Sequence, residues 1–226
     1  MREIVIDTET TGLSFKTGDR IIEVGCVELI NHVPTNKTLQ FYCKVDKKIS
    51  EAAKKISGIT EDFLKDKKTF EENHQKLLSF IKNDVLIIHN SDFDMGFLNN
   101  ELSIIGKPPL KNKVIDTVSL ARKVLNTRIA NLDYLCRRFN IDLSERKLHG
   151  ALLDSRLLAE VYLELRGGKQ FSMDLNQKEL KKDSNKKTKL NSPSKTTKLE
   201  PTHEDIRLHK EMIKDIKDAF WNKNPY

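Results

Sequence analysis

Two carboxylates close the first apolar run of this chain. Ile4-Val5-Ile6 leads directly into Asp7, Thr8 and Glu9, and then into Thr10-Thr11-Gly12. Three uninterrupted β-formers predict a strand buried on both faces. Residues two apart in an extended chain point to the same face, so Asp7 and Glu9 project side by side where that strand ends. Two such groups repel and are costly to desolvate. A divalent cation is the usual reason to place them together; the plainer alternative is a solvated strand end.

A second acidic position, Asp94, stands in Asn90-Ser91-Asp92-Phe93-Asp94, directly after the apolar Val85–Ile88. It also falls beside a buried strand end, where sites assemble in α/β sheets, although Asp92 or Asp94 could equally serve as a helix-start carboxylate. The third position is Asp154 in His149-Gly-Ala-Leu-Leu-Asp. Asp154 lies three residues after Ala151 and four before Leu158, on the apolar face of a helix, where a carboxylate without a partner is rare. His149, five residues earlier, is off that face and must reach the site from the loop before the helix. Four acidic residues at three element ends, plus one histidine, point to two-metal phosphodiester chemistry. Two Mg²⁺ or Mn²⁺ ions would stabilise the attacking and leaving oxygens. Carboxylates are the donors such hard ions take, and an imidazole can accept the proton of water near neutral pH. The chain carries no phosphate-cradling P-loop, no Gly-x-Ser-x-Gly and no Rossmann glycine pattern.

The elements that must position these groups follow from the hydrophobic pattern. Arg20–Ile30 and Lys37–Val45 predict two further strands, the second alternating Leu39, Phe41, Cys43 and Val45 with polar residues. With the first strand they suggest an antiparallel meander. Ser50–Ile56 and Thr60–Lys65 predict short helices around Gly58. Phe70, His74, Leu77, Leu78 and Ile81 mark the face of a longer one, with Thr69 and Glu72 as a capping box. The short strands Val85–Ile88 and Val114–Asp116 alternate with helices over Phe93–Ile105, Thr117–Leu125 and Leu132–Phe139, the last capped by Asn131. A final helix runs from Gly150 to Arg166. This order predicts an α/β domain with a mixed sheet over residues 1–168.

The chain has 226 residues and a net charge of +7, but residues 177–200 alone hold eight Lys against three acidic groups. The segment is polar and poor in apolar residues, as in a flexible linker. Residues 201–226 regain helical periodicity through Ile206, Ile213, Ile216 and Phe220. The first 176 residues are nearly neutral, so overall basicity argues only weakly for nucleic acid. No apolar run reaches membrane-spanning length, and no secretory signal opens the chain. Three scattered cysteines (Cys26, Cys43 and Cys136) suit a reducing, cytoplasmic setting.

Asp7-x-Glu9-Thr10-Thr11-Gly12, Asn90-x-x-Phe93-Asp94 and His149-x-x-x-x-Asp154 resemble the three motifs of the DEDDh 3′→5′ exonucleases. The histidine spacing separates them from the DEDDy branch, which has Tyr four residues before the last Asp. Arg20-Ile-Ile-Glu23-Val-Gly25, Ile88-His89-Asn90, Leu132-Asp-Tyr-Leu-Cys136 and Leu148–Ser155 resemble the epsilon subunits of bacterial DNA polymerase III in particular. The likeness covers about residues 2–168. It implies an RNase H-like fold with a five-stranded sheet, and a proofreading activity on a single-stranded 3′ end of DNA that releases nucleoside 5′-monophosphates. It implies two divalent cations, one held by Asp7, Glu9 and Asp154. By the same resemblance Asp7 would bridge to the second, supported by Asp94 directly or through water. His149 would be the general base, with Thr10, Leu13, Asn90 and Phe93 near the terminal nucleotide.

Gln170-Phe-Ser-Met173-Asp-Leu175, within residues 169–176, resembles a sliding-clamp-binding peptide, the alternative being the start of the linker. The segment 201–226 would then dock on the polymerase catalytic (alpha) subunit as a helix in a groove. Ser57-Gly58-Ile59 departs from the His-Gly-Ile common in epsilon-like chains. Two rivals remain: a free-standing DEDDh nuclease acting on RNA or small oligonucleotides, and an inactive tether between clamp and polymerase. Residues 170–226 disfavour the first, and the complete set of five catalytic residues disfavours the second.

Overall fold

The computed structural model describes residues 1–146, 148–168 and 202–214. The chain divides into two units, Met1–Leu175 and Asn176–Tyr226. In the first, strands β1 (Arg2–Thr10), β2 (Ile21–Ile30) and β3 (Val33–Tyr42) form an antiparallel meander; β4 (Val85–Ile88) and β5 (Val114–Asp116) add to it in parallel. The sheet runs β3-β2-β1-β4-β5, so β1 lies at its centre. The uninterrupted Ile4-Val5-Ile6 follows from that place, since both faces are covered. Ile4 and Ile6 pack with Leu77, Ile81, Phe97 and Leu98 on one side. Val5 packs with Leu135, Leu158 and Tyr162 on the other.

The first side is covered by α3 (Phe70–Ile81) and α4 (Ser91–Ile104), and the second by α5 (Thr117–Leu125), α6 (Leu132–Arg138) and α7 (Ala151–Leu165). Two short helices, α1 (Glu51–Ser57) and α2 (Glu61–Leu64), follow the meander and enclose a small cluster of Ile22, Ile49, Ile59 and Leu64. The predicted caps are present. Thr69 and Glu72 form the capping box of α3, and the Asn131 side chain accepts from the Tyr134 N–H at the start of α6.

Two elements have boundaries more than one residue from expectation. Strand β3 begins at Val33 rather than Lys37 and ends at Tyr42 rather than Val45. Asn31 and His32, both at positive φ, form a two-residue hairpin that carries the ladder straight from β2 into β3. Pro34 is tolerated because β3 is an edge strand. Helix α4 starts at Ser91, two residues before Phe93, because Asn90 turns the chain in the left-handed region (φ 63°) and the helix follows at once. In the second unit, α8 spans His203–Lys214, with Leu208 and Met212 exposed. The expected clamp peptide 169–176, the linker 177–200, and Ile216 and Phe220 lie outside the described residues.

Candidate active site

Asp7 and Glu9 occupy alternate positions of β1 on the α7 side of the sheet, continuing the row of Glu3 and Val5. Asp94 comes from the first turn of α4, where the chain leaves β4, the parallel neighbour of β1. It is buried, and the Thr8 hydroxyl donates to its Oδ1 at 2.7 Å. Thr8 points to the opposite face from Asp7, so the strand uses its alternation to hold a carboxylate on one face and steady another from the second. Asp154, also buried, projects from the first turn of α7.

Helix α7 is aimed by strand β2. Gly25 pairs with Asp7 across the ladder. A Cβ at Gly25 would lie 2.2 Å from the backbone of Ala151 and Leu152, so the first turn of α7 rests directly on the strand. The Ser155 hydroxyl donates to the Gly25 carbonyl at 2.9 Å, and the Ala151 N–H donates to Oε2 of the buried Glu23 at 3.2 Å. Glu23 thus supplies a cap from another element to a helix whose N-cap, Gly150, has no side chain. His149 stands half-exposed just before the helix. Its backbone is tied by an N–H bond to the Ile56 carbonyl at 2.9 Å, and its Nδ1 lies 3.3 Å from Asp154 Oδ2.

Glu9, His149 and Asp154 each offer a ligand atom, all within 4.8 Å of one another. Beside them a cleft of about 280 Å³ is lined by Asp7, His89, Asp133, Arg146, His149 and Asp154 among others. The electrostatics are those of crowded anions. Burial first, then Asp94, Asp154, Glu9 and Glu23, pushes the Asp7 carboxyl well above its ordinary range. Burial pushes Asp94 up as well, against the lowering effect of its bonds with Thr8. Glu9 rises to about 8 through burial and the neighbouring Asp154 and Glu23. Several acidic groups that repel one another through a poorly hydrated space, with oxygen donors and no thiolate, fit a hard divalent cation.

Of the residues named for nucleotide contact, Leu13 is 87% exposed. Asn90 is exposed at the mouth of β4. Phe93 packs on Phe97 with ring centroids 4.8 Å apart. Thr10 is buried, and its hydroxyl donates to the Gly12 carbonyl at 2.6 Å. Three residues of the site had no assigned part. Glu23 was signalled by a carboxylate inside an apolar strand. His89 Nδ1 lies 2.9 Å from the Thr117 hydroxyl oxygen, and burial lowers the pKa of its ring. Arg146 forks onto Asp154, Nε to Oδ1 at 2.7 Å and Nη2 to Oδ2 at 2.8 Å. It sits in an irregular loop, where no periodicity could have marked it.

The family model described as Exonuclease matches residues 4–162. The DNA polymerase III subunit epsilon of Rickettsia felis is 40% identical over 222 residues, covering 96% of this chain and 97% of that one. The Escherichia coli K12 protein of the same name is 37% identical over 219 residues, covering 92% and 90%. The nuclease domain of 3′hExo, a DEDDh family member bound to rAMP, has a TM-score of 0.63 at 22% identity over 73% of this chain and 90% of that one, a likeness of fold. The mixed five-stranded sheet flanked by helices is thus the exonuclease architecture. With the matched model spanning the whole site and such relatives spanning nearly the whole chain, this protein belongs to the exonuclease family and, within it, to the DNA polymerase III epsilon subunits.

Proposed function

We propose that this chain is the 3′→5′ proofreading exonuclease subunit of a replicative DNA polymerase, hydrolysing the terminal phosphodiester of a primer strand to release a nucleoside 5′-monophosphate. The observation that carries the reading is the gathering of Asp7, His149 and Asp154 along one cleft, with Glu9 in ligand reach of His149 and Asp154 and with Asp94 near enough to Asp7 to push its carboxyl up. A mispaired end frays at lower cost than a paired one, so part of the selectivity lies in the DNA.

Asp7, Glu9 and Asp154 would hold one divalent cation, and Asp7 with Asp94 a second; Mg²⁺ and Mn²⁺ suit these donors. When bound, such a pair supplies charge neutralisation and Lewis acidity at the reacting phosphodiester. His149 accepts the proton of the attacking water, from a loop position that lets its ring advance over the substrate. Thr8 keeps Asp94 facing the site, and the backbone contact of α7 with Gly25 keeps Asp154 over Asp7. Thr10, Leu13, Asn90 and Phe93 would flank the terminal nucleotide, the exposed Leu13 and the ring of Phe93 offering apolar surface to a base. The partners that this reading implies are a DNA 3′ end, the polymerase catalytic subunit through residues 201–226, and the sliding clamp through Gln170–Leu175. Among the described residues no helix is long and apolar enough to cross a membrane, in keeping with a cytoplasmic replication protein.

Single-turnover digestion of a 5′-labelled primer–template with one terminal mismatch tests the reading. Products should shorten one nucleotide at a time from the 3′ end, faster than from a matched primer, and only with a divalent cation. Asp7→Ala should abolish the reaction. Cleavage in the presence of a chelator, or near-parental cleavage by Asp7→Ala at saturating Mg²⁺, would overturn it.

A further inference from the structure

Arg146 belongs to none of the three motifs, yet its side chain is 8% exposed and held on every side. Its Nε and Nη2 engage both oxygens of Asp154, its Nη1 donates to Asp133, and its Nη2 also lies 3.0 Å from His149 Nδ1. One cation of the chain itself therefore occupies the carboxylate that closes the cation site, and touches the ring of the base.

Such a fork takes up a lone pair of each oxygen, and the guanidinium stays charged at any working pH. A divalent cation entering among Glu9, His149 and Asp154 meets a like charge a few ångströms away, in a place where salt screens poorly. Arg146 also has somewhere to remain. Asp133, on α6 and 45% exposed at its side chain, already holds Nη1. Arg146 and His149 share one loop between α6 and α7, so freeing the guanidinium from Asp154 frees the ring as well.

We propose that Arg146 is the resident counter-ion of the cation site: in the metal-free protein it neutralises Asp154 and pins His149, and on loading it gives up Asp154 and stays on Asp133. This rests on the divalent-cation reading of the site. Arg146 acts on the reaction through Asp154 and His149 and is a positioning residue.

The test is calorimetric titration of the full chain with Mn²⁺ alone, in the parent and in Arg146→Met, Arg146→Lys and Asp133→Asn. Arg146→Met should tighten Mn²⁺ binding about tenfold or more, as loss of a close like charge does, while lowering the melting temperature without metal. Arg146→Lys, which keeps the charge and loses the fork, should tighten it less. Asp133→Asn should weaken it, because Nη1 then keeps only a neutral acceptor and the guanidinium stays on the charged Asp154. In the parent, Mn²⁺ should speed amide hydrogen exchange at residues 144–149. Unchanged or weaker Mn²⁺ binding in Arg146→Met overturns the proposal, weaker binding making Arg146 an aligner of Asp154. If Arg146→Met does not fold, the same two outcomes in Arg146→Lys overturn it. A parent chain that binds no Mn²⁺ sinks the cation reading itself, and this inference with it, whereas parental binding with an unaltered Arg146→Met sinks this inference alone.

Discussion

His149 is fixed by its backbone and met at Nδ1 by Arg146 and Asp154, while the rest of its ring stays open. The N–H bond to Ile56 holds the loop, while the half-exposed imidazole can be reached by solvent. His149→Ala should therefore keep its fold and its binding of single-stranded DNA and lose roughly 10²–10⁴-fold in the single-turnover rate, as general-base losses do; an unchanged rate and pH profile would make the ring structural. The acidic residues lead to a different measurement. Glu9 in the folded, metal-free protein holds its proton up to about pH 8 against an ordinary 4.5, and Asp7 and Asp94 shift in the same direction. A carboxyl raised on folding favours the fold fully below its unfolded pKa, and that contribution is lost as pH rises through the folded value. The melting temperature of the metal-free chain should thus fall between about pH 4.5 and 8, while saturating Mg²⁺ should flatten the fall. Equal slopes with and without Mg²⁺ would show that these carboxylates do not share a cation. Asp7 and Glu9 were legible as two carboxylates on one face where a buried strand ends, Asp94 from its place just after the apolar Val85–Ile88, and Asp154 from the apolar helix face of Ala151 and Leu158. Arg146 was not, because an irregular loop has no period to violate.

The helices and strands were legible wherever burial imposed a period. β1 needed only its three apolar residues, and α3 its apolar face and capping box. The antiparallel pairing of β2 and β3 was legible, but the tightness of their turn was not, because Asn31-His32 is an unusual turn pair, with His32 at φ 69° beside the buried Glu3 that it meets at 2.7 Å. The same Glu3 accepts from Tyr162 of α7 at 2.8 Å. Helix α7 is thus moored to polar groups of the sheet at both ends, by Glu23 at its start and Glu3 near its finish. Neither bond was foreseeable, because each joins residues more than a hundred positions apart. The mooring at the start can be tested alone. Glu23→Ala removes the acceptor of the Ala151 N–H and should cost about 1–2 kcal/mol, like the loss of a cap, measurable by urea denaturation. It should also lower the cleavage rate through movement of Asp154. A stability loss with a parental rate would leave Glu23 a structural residue only.

At the scale of the whole chain, Asp7, Glu9, Asp94, His149 and Asp154 all come from elements of the first unit, and among the described residues the cores beneath them are local to it. A chain ending at Gly168 should digest a mismatched primer at near-parental rate and lose affinity for the polymerase catalytic subunit, as measured by co-sedimentation; loss of nuclease activity would mean that the tail completes the site. That separation gives the contact of Gly25 with helix α7 a hereditary meaning. A methyl group at Gly25 would push the backbone of Ala151 and Leu152 back by about 1 Å, a misplacement that can cost a hundredfold in rate. It would leave residues 201–226 untouched. With docking through residues 201–226 as proposed, a cell carrying Gly25→Ala alongside a parental copy should seat a slow editor in its replication machinery in place of a good one. The substitution should raise the spontaneous mutation frequency even with the parental gene present, a dominant trait scored by counting drug-resistant colonies, and one methyl group on a strand would be passed on as errors throughout the chromosome.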